Sequence, residues 1–276
     1  MARDFQIDVV IACHDPARPV ARAVASVLDG NEAKTRAIVV AHNVPQEAVE
    51  ASLGAWAGDG RVLLAHLVDG IPSPAGPMNL GFDLATAPFV SLLGSDDTLD
   101  AGTLDRWLHI AESERADFVI ANRREPDGLD AASPPVRIGR RRNLSGAKDR
   151  LAYRAAPLGL LRRSRFGELR FPEGVPTGED IPFSSQIWFS GANVAFAFGS
   201  PGYVVHADQE QRATTDPRSV ADSLRWVDVT LDSSTPWMRR EADRTALVVK
   251  LLRQNIPDTA MTRLPDGWDA ESMAQM

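Results

Sequence analysis

The chain has 276 residues, enough for one large or two small domains around a sizeable core. Hydrophobic residues at 44% and charged residues at 24% are ordinary globular proportions, and a net charge of −7 argues against nucleic acid as the main partner. A single cysteine, Cys13, excludes an internal disulfide framework and a cysteine-based zinc site.

The first apolar stretch is too short, and too soon broken by Asp8, for a signal peptide, and no run reaches the roughly 18 apolar residues of a membrane span. The expectation is a soluble, cytoplasmic protein, with peripheral association to a membrane surface left open. The arginines at 140–142 and at 162, 163 and 165 read, each cluster alone, as solvated charge.

Residues 7–13 (I-D-V-V-I-A-C) are β-branched and apolar and predict a buried strand, in which Cys13 is a small hydrophobe. Helical spacing follows over 20–28, with Gly30 as a stop. Strands are predicted at 37–41 and 61–67 around a helix at 45–56. After the loop D-G-I-P-S-P-A-G-P come a helix at 78–85, a strand at 89–93, a helix at 101–113 and a strand at 117–121. Continuous apolar strands alternating with helices predict an α/β fold with a mostly parallel sheet covered on both faces.

Residues 126–143, rich in proline, glycine and arginine, read as a long connection. Beyond them the pattern predicts a short helix near 158–163, a helix at 182–190, strands near 193–198 and 203–206, and helices from 217 onward.

Ligands of such sheets bind beyond the carboxyl ends of the strands. The residues found there are His14 and Asp15, His42 and Asn43, and Ser95, Asp96 and Asp97. Asp100 suits the cap of the helix that follows. The adjacent pair Asp96-Asp97 needs more: two close carboxylates repel unless a cation or a raised pKa relieves them, and Mg²⁺ or Mn²⁺ prefers such oxygen ligands. A plain polar turn remains the competing reading. In T-G-E-D-I-P (177–182), Thr177 and Asp180 fit helix-start chemistry, which is the simpler account, while Asp180 as a general base is the functional one. His206 stands alone after a strand, and Arg212 is either a phosphate contact or loop. The dinucleotide fingerprint, the P-loop, H-E-x-x-H and G-x-S-x-G are all absent.

Taken in order, I-D-V-V-I-A-C-H-D-P, then S-P-A-G-P-M-N-L-G-F-D-L-A-T-A-P-F-V-S-L-L-G-S-D-D-T-L, then L-L-R-R-S-R-F-G-E-L-R-F-P-E-G-V-P-T-G-E-D-I-P-F resemble the family 2 glycosyltransferases of the GT-A fold. The resemblance covers residues 1–215, with a donor half at about 1–125 and an acceptor half at about 145–215, and leaves 216–276 as a C-terminal helical extension. It implies a GT-A, Rossmann-like mixed sheet flanked by helices. It implies inverting transfer of a sugar from a nucleotide-sugar donor, a UDP-sugar first, to a hydroxyl of a glycan or other acceptor. A divalent cation, Mn²⁺ or Mg²⁺, is implied at Asp96, with His206 completing its shell. Asp180 is implied as the base, with Glu179 beside it, and Ala12, His14, Asn43, Asn79, Ser95, Asp96 and Arg212 on the donor. Three positions depart from the family pattern: Gly94 replaces the first carboxylate of the metal motif, A-H-N replaces the aspartate after the second strand, and Met78 replaces an arginine. These departures keep a second expectation in play, a non-catalytic nucleotide-sugar-binding or scaffolding protein on the same fold. A third, a metal-dependent phosphoryl or nucleotidyl transferase, explains the acidic pair and leaves G-E-D unexplained.

Overall fold

The computed structural model describes residues 4–128, 134–206, 219–232 and 237–261. Its frame is a seven-stranded sheet in the order β3-β2-β1-β4-β8-β6-β9. The amino-terminal half supplies β1 (Ile7–Cys13), α1 (Val20–Leu28), β2 (Thr35–His42), α2 (Gln46–Leu53), β3 (Val62–Leu67), α3 (Ala75–Leu84) and β4 (Phe89–Leu92). A two-residue strand β5 (Thr98–Leu99) follows, then α4 (Thr103–Ser113), β6 (Phe118–Ala121) and β7 (Arg123–Arg124). The later half supplies β8 (Gly159–Arg162), α5 (Arg163–Phe166), α6 (Asp180–Phe189), β9 (Val194–Ala197) and β10 (Tyr203–Val204). It closes with α7 (Val220–Leu231), α8 (Glu241–Lys250) and α9 (Ile256–Met261).

The expected alternation produces the expected layers. Side chains of α1, α2 and α4 close one face of the sheet, with Val24, Leu53 and Trp107 fully buried. Those of α3 and α6 close the other, with Phe82 and Phe183. Each such aliphatic or aromatic side chain contributes about 1.5–3 kcal/mol on leaving water. All neighbouring strands run parallel except β8, which is antiparallel to both β4 and β6. The charge inside the first strand is accommodated by register. Asp8 lies opposite Arg36 and takes its Nε at 2.8 Å and Nη2 at 2.9 Å. The Thr86 and Ala87 amides add bonds of 2.7 and 2.8 Å, so a fully buried carboxylate is satisfied on every side.

Two local expectations are corrected. Residues 159–162 form a strand, because G-L-L-R fills the slot between β4 and β6 and a helix begins only at Arg163. Asp100 does not cap α4, whose N-cap is Gly102. Its carboxylate pairs with Arg124 and accepts the Gly202 amide at 3.0 Å. That ion pair helps to join a second, three-stranded sheet in the order β5-β10-β7. This small sheet brings residues 203–206 back beside the end of β4.

Candidate active site

The parallel strands β1, β2 and β4 end on one edge. At the end of β1, Cys13 points into the core, and burial pushes its thiol up to about 11, which suits packing and not nucleophilic chemistry. Alternation turns Ala12 to the opposite face, and His14 stands exposed just beyond it. Desolvation of the His14 ring, reinforced by the Arg18 guanidinium, lowers its pKa and favours the neutral imidazole.

At the end of β2, Asn43 adopts φ +56, and its side chain clamps the loop after β3. Its oxygen accepts the amides of Asp69 (3.1 Å) and Gly70 (2.9 Å), while its nitrogen donates to Asp69 Oδ1 at 3.1 Å. Buried His42 lies 2.9 Å from the same Asp69 oxygen. Burial alone would raise the Asp69 pKa, but the Ile71 amide, His42 and Asn43 outweigh it and hold the carboxylate below its ordinary value. A carboxylate from the loop after β3 therefore reaches the end of β2, where the sequence itself reads A-H-N.

The turn after β4 separates the two adjacent aspartates. Asp96 Oδ1 faces Arg18 Nη1 at 3.2 Å, and Arg22 Nη2 donates to the Asp96 carbonyl. Ser95 is buried with its Oγ 3.4 Å from Arg18. Asp97 turns the other way. It accepts the Tyr203 hydroxyl at 2.6 Å and the His206 amide at 3.0 Å, and the Tyr203 oxygen in turn accepts the Gly94 amide at 3.0 Å. Desolvation raises the Asp97 pKa despite these bonds, and burial with Asp97 alongside raises that of the Tyr203 phenol well above its ordinary value. The His206 ring lies 2.9 Å from Thr98 Oγ1, so the small sheet sets it against the acidic turn. Among the described residues no group of three or more His, Cys, Asp or Glu side chains converges as a metal cage. The turn and the small sheet carry the Asp96 carboxylate, beside Arg18, and the His206 imidazole, beside Thr98. A carboxylate and an imidazole are donor types that a divalent ion such as Mn²⁺ accepts.

On the later half, Asp180 is the first residue of α6, and no side-chain hydrogen bond caps the helix. Desolvation raises its pKa, opposed by the charge of Lys250 and by the Asp180 and Ile181 amides. Glu179, half-buried, is the N-cap residue. The loop ahead of them is braced by aromatic packing: Phe171 stacks on Phe183 with centroids 4.1 Å apart and planes 3° from parallel. Asn79 serves the same brace, since its nitrogen donates to the Phe171 carbonyl (3.0 Å) and its oxygen accepts the Phe171 amide (2.8 Å). Both ends of that amide are thus engaged by the chain. Arg212 lies outside the described residues.

Ala12, His14, Asn43, Ser95, Asp96 and His206 therefore share the strand-end edge, Asp180 and Glu179 occupy the start of α6, and Asn79 is tied to Phe171. Arg18, Arg22, Asp69 and Tyr203 belong to this edge and were not singled out in the sequence. Arg22 lies on α1 and Arg18 in the bend just before it, so no helix-spacing rule joins the two. Asp69 and Tyr203 gave no signal either, because only the tertiary fold brings them in.

Against known proteins, the family described as Glycosyl transferase family 2 matches residues 8–169. No curated protein matches the chain. Among solved structures, S. aureus TarS 1–349 in complex with UDP-GlcNAc superposes with a TM-score of 0.81 at 14% identity, covering 98% of this chain and 78% of that one. The same protein in complex with UDP gives 0.80 at 14% identity, with the same coverage. The mannosyltransferase PcManGT from Pyrobaculum calidifontis, in complex with GDP-Man and Mn²⁺, gives 0.53 at 12% identity, covering 99% and 85%. At such identities the likeness is one of fold, and that fold is GT-A. No helix among the described residues is long and apolar enough to cross a membrane. With a family match spanning more than half its length and a GT-A sheet carrying the matched motifs, the chain belongs to glycosyl transferase family 2.

Proposed function

We propose that the protein is an inverting glycosyltransferase that moves a sugar from a UDP-sugar to an acceptor hydroxyl, with Asp180 as general base. The observation that carries this reading is a desolvated carboxylate at the first residue of α6, in the later half of the chain. Its raised pKa makes it a better proton acceptor than an ordinary aspartate, which an unactivated hydroxyl requires. Attack by that hydroxyl on the anomeric carbon forms the new glycosidic bond as the bond to the diphosphate breaks. The hydroxyl proton goes to Asp180, and the bonding pair leaves with the nucleotide.

On the donor side, Ala12 and His14 flank the nucleotide, and Asp69, locked to His42 and Asn43, stands in for the family's missing aspartate at the end of β2. The uridine assignment is supported by the UDP and UDP-GlcNAc complexes of the S. aureus structures. Asp96 and His206 would hold Mn²⁺ or Mg²⁺. Such an ion, when bound, neutralises charge developing on the leaving diphosphate. Arg18, now paired with Asp96, sits where it can turn to a phosphate oxygen.

The test is Asp180→Asn, assayed for UDP release from UDP-GlcNAc and for UDP binding by thermal shift with Mn²⁺. The expected result is turnover lowered by at least about 10³-fold with the UDP-induced shift retained. Near-normal turnover in this variant would remove Asp180 as the base. A second reading, a nucleotide-sugar-binding protein without turnover, is favoured by the glycine at position 94. UDP release that disappears in Asp96→Ala would reject it.

A further inference from the structure

The helices after residue 219 approach Asp180 from behind. Gly178, two residues before Asp180, has φ +73 and no side chain. A Cβ there would lie 2.7 Å from Cδ1 of Trp226 on α7. Trp226 is buried and packs with Val175, two residues before the T-G-E-D stretch, and with Ile181, the residue just after it. Above that indole lies Lys250, the last residue of α8, with Nζ 5.4 Å from the ring centroid. Lys250 is only 2% exposed, and it makes no hydrogen bond or direct ion pair among the described residues. A buried ammonium costs several kcal/mol unless a negative charge or an aromatic face compensates it, and here the compensation is the Trp226 face with the Asp180 and Asp258 charges.

We propose that Lys250 is a positioning residue for the Asp180 carboxylate, holding it ionised and ready to accept a proton without touching substrate. The inference rests on Asp180 as the base. Of the charged groups on the surrounding elements, Asp222 and Arg225 of α7 pair with each other at the surface, 3.0 Å apart. Asp228 of α7 is exposed, Glu179 adjoins Asp180, and buried Arg154 donates to the Ala121 carbonyl. Asp258 of α9 faces Lys250. Of these charged groups Lys250 is the one whose charge bears on Asp180, where it opposes the desolvation. The influence is mutual: burial lowers the Lys250 pKa to about 8, while Asp180 and Asp258 pull it back up. Near neutral pH, below that value, the lysine carries its charge, and that charge favours the ionised form of Asp180.

The experiment compares wild type, Lys250→Met and Lys250→Gln in the full chain. Asp180 is followed directly by ¹³C-carboxyl NMR titration, its signal assigned as the one lost in Asp180→Asn. The pH profile of UDP release from UDP-GlcNAc is measured in parallel. Removing the positive charge should raise the Asp180 midpoint, and with it the acid limb of kcat/KM, by about one pH unit. Lys250→Met should also leave the melting temperature unchanged or higher, since it replaces a buried ammonium with an apolar chain. An unmoved midpoint in both variants, or a lowered melting temperature with an unmoved pH profile, overturns the proposal and leaves Lys250 as packing. A midpoint that rises while the kinetic limb stays put overturns the catalytic role, and points to Asp180 not being the base.

Discussion

A side chain at position 94 would have to share its space with two carboxylates, because a Cβ there lies 2.7 Å from Asp97 Oδ2 and 3.2 Å from Asp96 Oδ1. Restoring the family's usual aspartate is thus not a repair. Gly94→Asp should destabilise the protein by about 1–3 kcal/mol through crowding and like-charge repulsion, and should weaken UDP binding where a simple gain of a ligand would strengthen it. Thermal unfolding with and without UDP and Mn²⁺ reads both effects. At this scale the sequence showed that the acidic pair needed an explanation but not how its members differ. Asp97 is explained by Tyr203 and His206, more than a hundred positions away in the chain, and a spacing rule contains no such partner.

Between elements, the Asp100–Arg124 pair ties β5 and β7 across β10, and so fixes the strand that leads to His206. Arg124, ahead of burial, holds the Asp100 carboxyl below its ordinary value. An unfolded aspartate titrates near pH ~3.9. The stability from this pair is therefore fully present above about pH 4 and is lost as the pH falls through the lower folded value. Asp100→Asn should cost about 1–2 kcal/mol at pH 7, and should flatten the fall in melting temperature between pH 5 and 3, as measured by calorimetry. The elements of the first half were legible mainly because its strands are dominated by apolar runs and α1 buries residues 20, 23, 24, 27 and 28 at helical spacing. The strand at Gly159–Arg162 was not, since four residues carry no resolvable period and only the gap between β4 and β6 makes them extended.

Across the whole molecule, the helices beyond residue 219 pack against the segment that carries Asp180. Trp226→Ala would open a cavity beneath Gly178 and remove the face on which Lys250 rests. It should cost about 3–5 kcal/mol and reduce UDP release from UDP-GlcNAc more than it reduces UDP binding, as read by thermal shift and kinetics side by side. Nothing in the periodicity of residues 217–256 tells a docking helix from a covering one, which is why this relation came only from the fold. The turn after β4 has a further consequence. On the proposed reading, a protein that offers an ion one carboxylate and one imidazole leaves its remaining coordination to phosphate oxygens and water. Affinity for the cation and affinity for the nucleotide then become a single linked quantity, each rising by the same factor when the other is present. Free cation concentration would in that case act as a control on donor loading, a property that a fuller carboxylate motif would have given away.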